Sequence, residues 1–188
     1  AVLHNPVLGA ELSLCISEGY RFLGDGERAV TAARKALAAA RDARNLILEV
    51  EALRALALAL RDVSELDDAE AQLGEALNAL GRIDRQLLAA EVSVLLANVL
   101  HARGAMDEAD AALAKSCRAY AALPSLTGLS DALRERGEIQ MANGIYTRAL
   151  AFAEEAARQA QLAQSVGLHI RALLLAARAS AAAGDPRQ

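Results

Sequence analysis

The residues able to do chemistry are few and scattered. His4, His101 and His169 lie far apart, and none has a His, Cys or carboxylate four residues away, the spacing that sets two metal ligands on one helix face. Cys15 and Cys117 sit in apolar helical settings, which reads as two reduced, buried thiols rather than a disulfide framework or an activated nucleophile. The clusters Asp67-Asp68-Glu70 and Glu154-Glu155 place carboxylates on adjacent helix positions, which do not face each other, so solvated faces explain them. Tyr20, Phe22, Tyr120, Tyr146 and Phe152 are spread singly, as core packing residues are. No acid-base or nucleophile set converges, so the expectation is no enzyme, no metal and no cofactor.

One constellation remains, and it is periodic. Glu11, Glu51, Glu91 and Asp131 recur at a spacing of forty residues. Three residues on come Leu14, Arg54, Val94 and Arg134; seven on, Glu18, Leu58, Asn98 and Glu138; ten on, Arg21, Arg61, His101 and Met141. These offsets keep to one face of a helix.

The elements that would position this face repeat with the same beat. Gly104-Ala105-Met106-Asp107-Glu108-Ala109 is a turn leading into a helix, preceded by Ser64 to Ala69 and Gly24 to Ala29 and followed by Gly144 to Ala149, and the chain stops at Gly184-Asp185-Pro186. Ala29, Ala69, Ala109 and Ala149 therefore share one phase, as stacked units that cannot bury their apolar faces alone would. Alanine fills 46 of 188 positions and aromatics 3%, so helices must pack by close approach over small side chains. A net charge of −4, with both signs interspersed, offers no basic surface for a phosphate backbone, and nucleic acid is not an expected partner. No apolar run reads as long enough to span a bilayer, because Arg or Glu interrupts each candidate. No signal peptide is visible and no membrane partner is expected; two reduced thiols make cytoplasmic the expected localisation, and without an initiating Met the chain reads as a piece of a longer protein.

Periodicity and caps predict helices at about 6–23, 27–42, 45–63, 66–80, 84–103, 106–123, 125–143, 145–162 and 165–183. They group into units at about 4–43, 44–83, 84–123 and 124–163 with a partial unit at 164–188, all in one domain over 1–188. Leu8, Leu12, Cys15, Ile16 and Leu23 give the first helix its apolar spacing; Leu87, Leu95, Leu96, Val99 and Leu100 are expected to pack on Ala109, Leu113 and Tyr120. The last helix presents Leu168, Leu173 and Leu174 with no partner, so either residues of the longer protein or a second molecule should cover them, and self-association of this chain through that end is expected.

The turn Gly-x-x-x-x-Ala with an apolar or aromatic third residue resembles the tetratricopeptide repeat. So do the small residues Ser17, Ala57, Ala97 and Gly137, the Leu-like residues Ile16, Leu56 and Leu96 before them, and the later small residues Ala36, Ala76, Ser116 and Ala156. The period of forty exceeds the family's usual 34, and Arg136 breaks the Leu-like position. Longer units of this kind are similar to those of kinesin light chains and of maltose-regulon-type ATP-dependent transcription activators. The resemblance implies an all-α, right-handed solenoid of about nine helices in antiparallel pairs, and it places the row of Glu11, Glu51, Glu91 and Asp131, with Arg54, Arg134, Leu58, Val94, Asn98, Arg21, Arg61, His101 and Met141, on a concave groove that binds a protein or peptide segment. The expected role is an interaction region of a bacterial regulatory protein. The alternative is the effector-sensing part of a multidomain transcription activator or of a nucleotide-messenger signalling enzyme.

Overall fold

A computed structural model describes residues 5–184; His4 and the Asp185-Pro186 turn lie outside the described residues. Among the described residues there are nine helices and no strand: α1 (Pro6–Phe22), α2 (Gly26–Asp42), α3 (Leu46–Asp62), α4 (Leu66–Leu80), α5 (Gln86–Ala102), α6 (Met106–Ala122), α7 (Leu126–Ala142), α8 (Tyr146–Leu162) and α9 (Val166–Ala183).

Helices start and stop for identifiable reasons. The side chains of Asn5, Asp25 and Asn45 accept from backbone N–H groups of the first turns of α1, α2 and α3, at 3.1, 3.2 and 3.2 Å for the shortest bond of each, which satisfies donors the helix leaves unpaired. At the other ends a backbone N–H reaches back five residues: Asp25 to Tyr20, Asn45 to Ala40, Glu65 to Leu60, Ala105 to Leu100, Ser125 to Tyr120, Ile145 to Gln140 and Ser165 to Ala160. That bond needs a left-handed residue just before it, supplied by Gly24, Gly104 and Gly144 at three of the turns and by Arg44, Ser64 and Gln164 at three others. The segment Gly81 to Arg85 departs from this pattern: its amides reach back only two to four residues, and α4 is correspondingly short at 15 residues.

The chain divides into two compact units, Ala1–Arg85 and Gln86–Gln188. In the first, α1 pairs with α2, α2 with α3 and α3 with α4, and α1 also touches α3. In the second, each of α5 to α8 packs on the next, with α5 also touching α7 and α7 touching α9.

The forty-residue phase is the packing phase. Ala29, Ala69, Ala109 and Ala149 are each 0% exposed, and Ser17, Ala57, Ala97 and Gly137 are all buried. A Cβ on Gly137 would come within 2.7 Å of Leu175 and 3.3 Å of the Ala149 carbonyl oxygen, so this position needs glycine for close helix approach. Buried serines tie paired helices together. The Ser17 hydroxyl donates to the Ala29 carbonyl (2.9 Å), Ser116 to Ala90 (3.2 Å), and Ser130 to Ala156 (2.9 Å). Positions 90 and 116 correspond to 130 and 156, so the same helix crossing is bridged twice with the donor on opposite partners. Fully buried Leu53, Leu60, Leu73 and Leu113 each contribute about 1.5–3 kcal/mol of apolar burial.

Several expectations are corrected. Cys15 is exposed, whereas Cys117 is buried. Leu8, Leu12 and Ile16 are 60%, 60% and 43% exposed, although Leu48, Ala52 and Leu56 at the equivalent positions of α3 are buried: α1 and α2 cover α3, and no described helix precedes α1. Phe22, at the C-terminal end of α1, is exposed rather than core. Leu87 is exposed and Leu95 half-buried, so neither belongs to the core to which Leu100, Leu113 and Tyr120 contribute. Leu168 is half-buried, while Leu173 and Leu174 are exposed. Helix α9 also reaches membrane-spanning length and composition, with mean hydropathy 1.3 over 18 residues, because only Arg171 and Arg178 interrupt it.

Candidate functional site

In the first unit, α1 and α3 lie side by side and turn their polar-apolar stripes to a common cleft of about 180 Å³. Leu14, Ser17, Glu18 and Arg21 come from α1, and Glu51, Arg54, Ala55 and Leu58 from α3. The offsets of three, seven and ten residues predicted one face for Arg21, Glu51, Arg54 and Leu58. Glu11 is exposed on α1 and is not among the residues lining the cleft.

The charges in this cleft are largely tied to one another. One terminal nitrogen of Arg54 donates to both carboxylate oxygens of Glu51 at 2.9 Å, one helical turn away. Arg21 Nε meets Asp62 Oδ2 at 2.7 Å across α1 and α3, and Arg61 meets the other Asp62 oxygen at 3.0 Å. Burial works to raise the Asp62 carboxyl, but the hydrogen bonds and charges of Arg21 and Arg61 outweigh it and hold the group below the ordinary carboxylate value. The expected basic edge of Arg21 and Arg61 is therefore committed to Asp62. The Arg21–Asp62 pair also forms a wall of a second, wider cavity of about 640 Å³, lined further by Leu23, Gly24, Asp25, Gly26, Glu27 and Val63 at the α1–α2 turn.

In the second unit, Glu91, Val94, Asn98 and His101 lie half-buried on α5, and Asp131, Arg134 and Met141 half-buried on α7. Arg134 binds Asp131 (3.1 Å) and Glu135. Burial works to lower the Arg134 pKa, and the two carboxylates more than reverse it. Arg178 of α9 reaches Glu138 of α7 at 2.9 Å, a pair at equivalent positions of successive first helices.

Three residues escaped the periodic reading. Asp62 has no counterpart at the equivalent positions, Phe22, Ala102 and Ala142. Arg136, noted only as a break in the Leu-like position, grips Asp110 of α6 with two bonds (2.9 and 3.0 Å) and stacks on Phe152 of α8 with its guanidinium 4.3 Å from the ring centre. The Arg136 hydrogen bond is the largest influence on Asp110 and holds its carboxyl below the usual range against the opposing effect of burial. Burial pushes the neighbouring Cys117 thiol up, Arg136 offsetting part of it, so this is an inert thiol. Among the described residues no group of three or more His, Cys, Asp or Glu is placed to hold a metal ion.

Solved structures with the same arrangement of helices define the fold class. Aspartyl phosphate phosphatase F from Bacillus subtilis matches with a TM-score of 0.82 at 15% identity, over 92% of this chain and 45% of that one. The Rap conjugation gene regulator of plasmid pLS20, in complex with the Phr* peptide, matches at 0.71 and 16%, over 95% and 52%. A Podosopora anserina putative kinesin light chain with nearly identical TPR-like repeats matches at 0.78 and 18%, over 98% and 91%. The chain thus spans about half the length of the first two. No protein-family model matches the sequence, and no curated protein matches it. The fold is all-α and tetratricopeptide-like, built of antiparallel helix pairs.

Proposed function

We propose that this chain is a binding module for a protein or peptide segment, and that the α1–α3 cleft of the first unit is a seat for it. The observation carrying this reading is the lining of that cleft, where Leu14, Ala55 and Leu58 lie beside the Arg54–Glu51 and Arg21–Asp62 pairs. Apolar floor with oriented polar groups is what recognition of a side chain plus backbone requires. The pLS20 Rap regulator, similar in fold, is recorded with a peptide, which supports the same use here. Because the arginines are already paired with acids, the charges orient a ligand more than they attract one, and exposed Glu11 and Glu18 favour a segment with a basic residue beside its apolar anchor. A role as the interaction region of a bacterial regulatory protein in the cytoplasm, without catalysis of its own, is the fuller form of the proposal.

Panning a random linear peptide library against the chain tests it. Enriched peptides should bind at least about tenfold more weakly to Leu58→Asp, since a buried charge would replace an apolar contact. Peptides that bind Leu58→Asp and Glu51→Ala as tightly as the parent chain, or the absence of any enrichment, would remove the cleft from consideration.

A further inference from the structure

Helices α1 and α9 each expose an apolar stripe, and the charges beside the two stripes have opposite sign. Leu8, Leu12 and Ile16 are 60%, 60% and 43% exposed on α1; Val166, Ile170, Leu173 and Leu174 are 72%, 52%, 48% and 61% exposed on α9. Glu11 and Glu18 accompany the first stripe, Arg171 and Arg178 the second, and α9 carries no acid at all. By repeat position, 11 corresponds to 171 and 18 to 178, so the sign is inverted between first and last helix at the same places.

We propose that α9 of one copy docks on α1 of a second copy, with the two helices parallel, Arg171 facing Glu11 and Arg178, which Glu138 of its own chain already holds at 2.9 Å, gaining Glu18 as a second acid. The helical advance of about 100° per residue fixes the orientation. It sets the two glutamates about 100° to one side of the α1 stripe and the two arginines about 100° to the opposite-handed side of the α9 stripe. Opposite flanks meet only when facing helices run in the same direction, as the flanking charges of parallel coiled coils do. The spacing of seven on both helices lets both pairs form together. The molecule already contains one such contact, since Glu138 on α7 holds Arg178 on α9 at 2.9 Å between equivalent positions. Antiparallel pairing of α9 with another α9 would instead set arginine against arginine, which selects α1 as the occupant. The contact is heterologous: every bound copy still offers a free α1 or a free α9, so association continues head to tail.

Sedimentation of the reduced chain tests this between about 10 μM and about 1 mM, the range expected of a small interface. The mean mass should rise with concentration. Leu12→Asp and Leu174→Asp should each remain monomeric, and an equimolar mixture of the two should form dimers and stop there, because it contains one intact pair of surfaces and one doubly blocked pair. Glu11→Arg and Arg171→Glu should each associate about tenfold more weakly than the parent and recover when mixed, with circular dichroism confirming unchanged helix content. A parent chain that is monomeric throughout overturns the proposal. So does association abolished by Leu174→Asp but untouched by Leu12→Asp, which would mean that α9 pairs with α9, and so does a mixture that fails to dimerise.

Discussion

The two units spend a half-buried arginine on different seams, and the outcome differs. In the first unit Arg21 reaches from α1 to Asp62 of α3, between two first helices, and the α1–α3 cleft remains open beside it. In the second, Arg136 reaches from α7 back to Asp110 of α6 and forward onto Phe152 of α8, locking three consecutive helices. The bonds also differ in redundancy. Asp62 keeps Arg61 if Arg21 is lost, whereas Asp110 depends mainly on the two bonds from Arg136. Identical scaffolding can thus yield a ligand-accessible seam or a structural clamp, according to where a single ion pair falls.

Removing the clamp should have the largest effect. Arg136→Ala leaves a half-buried carboxylate without its main partner, removes the stacking on Phe152 and is expected to destabilise the chain by about 1–3 kcal/mol, against under about 1 kcal/mol for Arg21→Ala, as read from urea denaturation midpoints. Equal losses would erase the distinction. The clamp also has a pH signature. A folded-state carboxyl held below its unfolded value stabilises fully above that value, near 3.8 for Asp110, and loses the contribution as pH falls through the folded value. The stability gap between the parent and Arg136→Ala should therefore be wide at neutral pH and close as the pH drops below about 4.

The serine bridges should be alike in both units. Ser17→Ala and Ser130→Ala each delete one buried inter-helix hydrogen bond and should cost about 1 kcal/mol apiece, measured by denaturant titration. A large disparity would mean that the small-residue crossing is not energetically equivalent along the repeats. Smallest of all, Arg44→Gly should gain about 0.5–1 kcal/mol, since Arg44 adopts the left-handed turn position (φ 51°) that Gly24 fills in the preceding turn. Calorimetry showing a loss would place an unrecognised role on the Arg44 side chain.

The repeat was legible because it is a matter of local punctuation. Residues 24, 44, 64, 104 and 144 end helices through bonds that span five residues, and the alanines that follow are small wherever two backbones approach. The helix stripe that collects Arg21, Glu51, Arg54 and Leu58 in one cleft was legible for the same reason. What stayed hidden needs a partner from elsewhere in the chain. Arg136 looked like a defect until Asp110, 26 residues upstream, and Phe152 were placed around it. Asp62 sits 41 residues from Arg21, at a repeat position where nothing similar recurs. Leu8, Leu12 and Ile16 have the same spacing as their buried counterparts in α3, so periodicity alone could not distinguish a core face from an exposed one.

The placement of the helix contacts bears on how the chain acquires its structure. Within each unit every helix touches only its sequence neighbours or the next but one, so no contact requires distant stretches of chain to meet. Loop closure is then inexpensive at every step, contact order is low, and a nucleus can start at any helix pair and spread by accretion. The buried serine bridges lie within such pairs, joining α1 to α2, α5 to α6 and α7 to α8, so each of these hairpins carries a tertiary hydrogen bond that closes over a short stretch of chain.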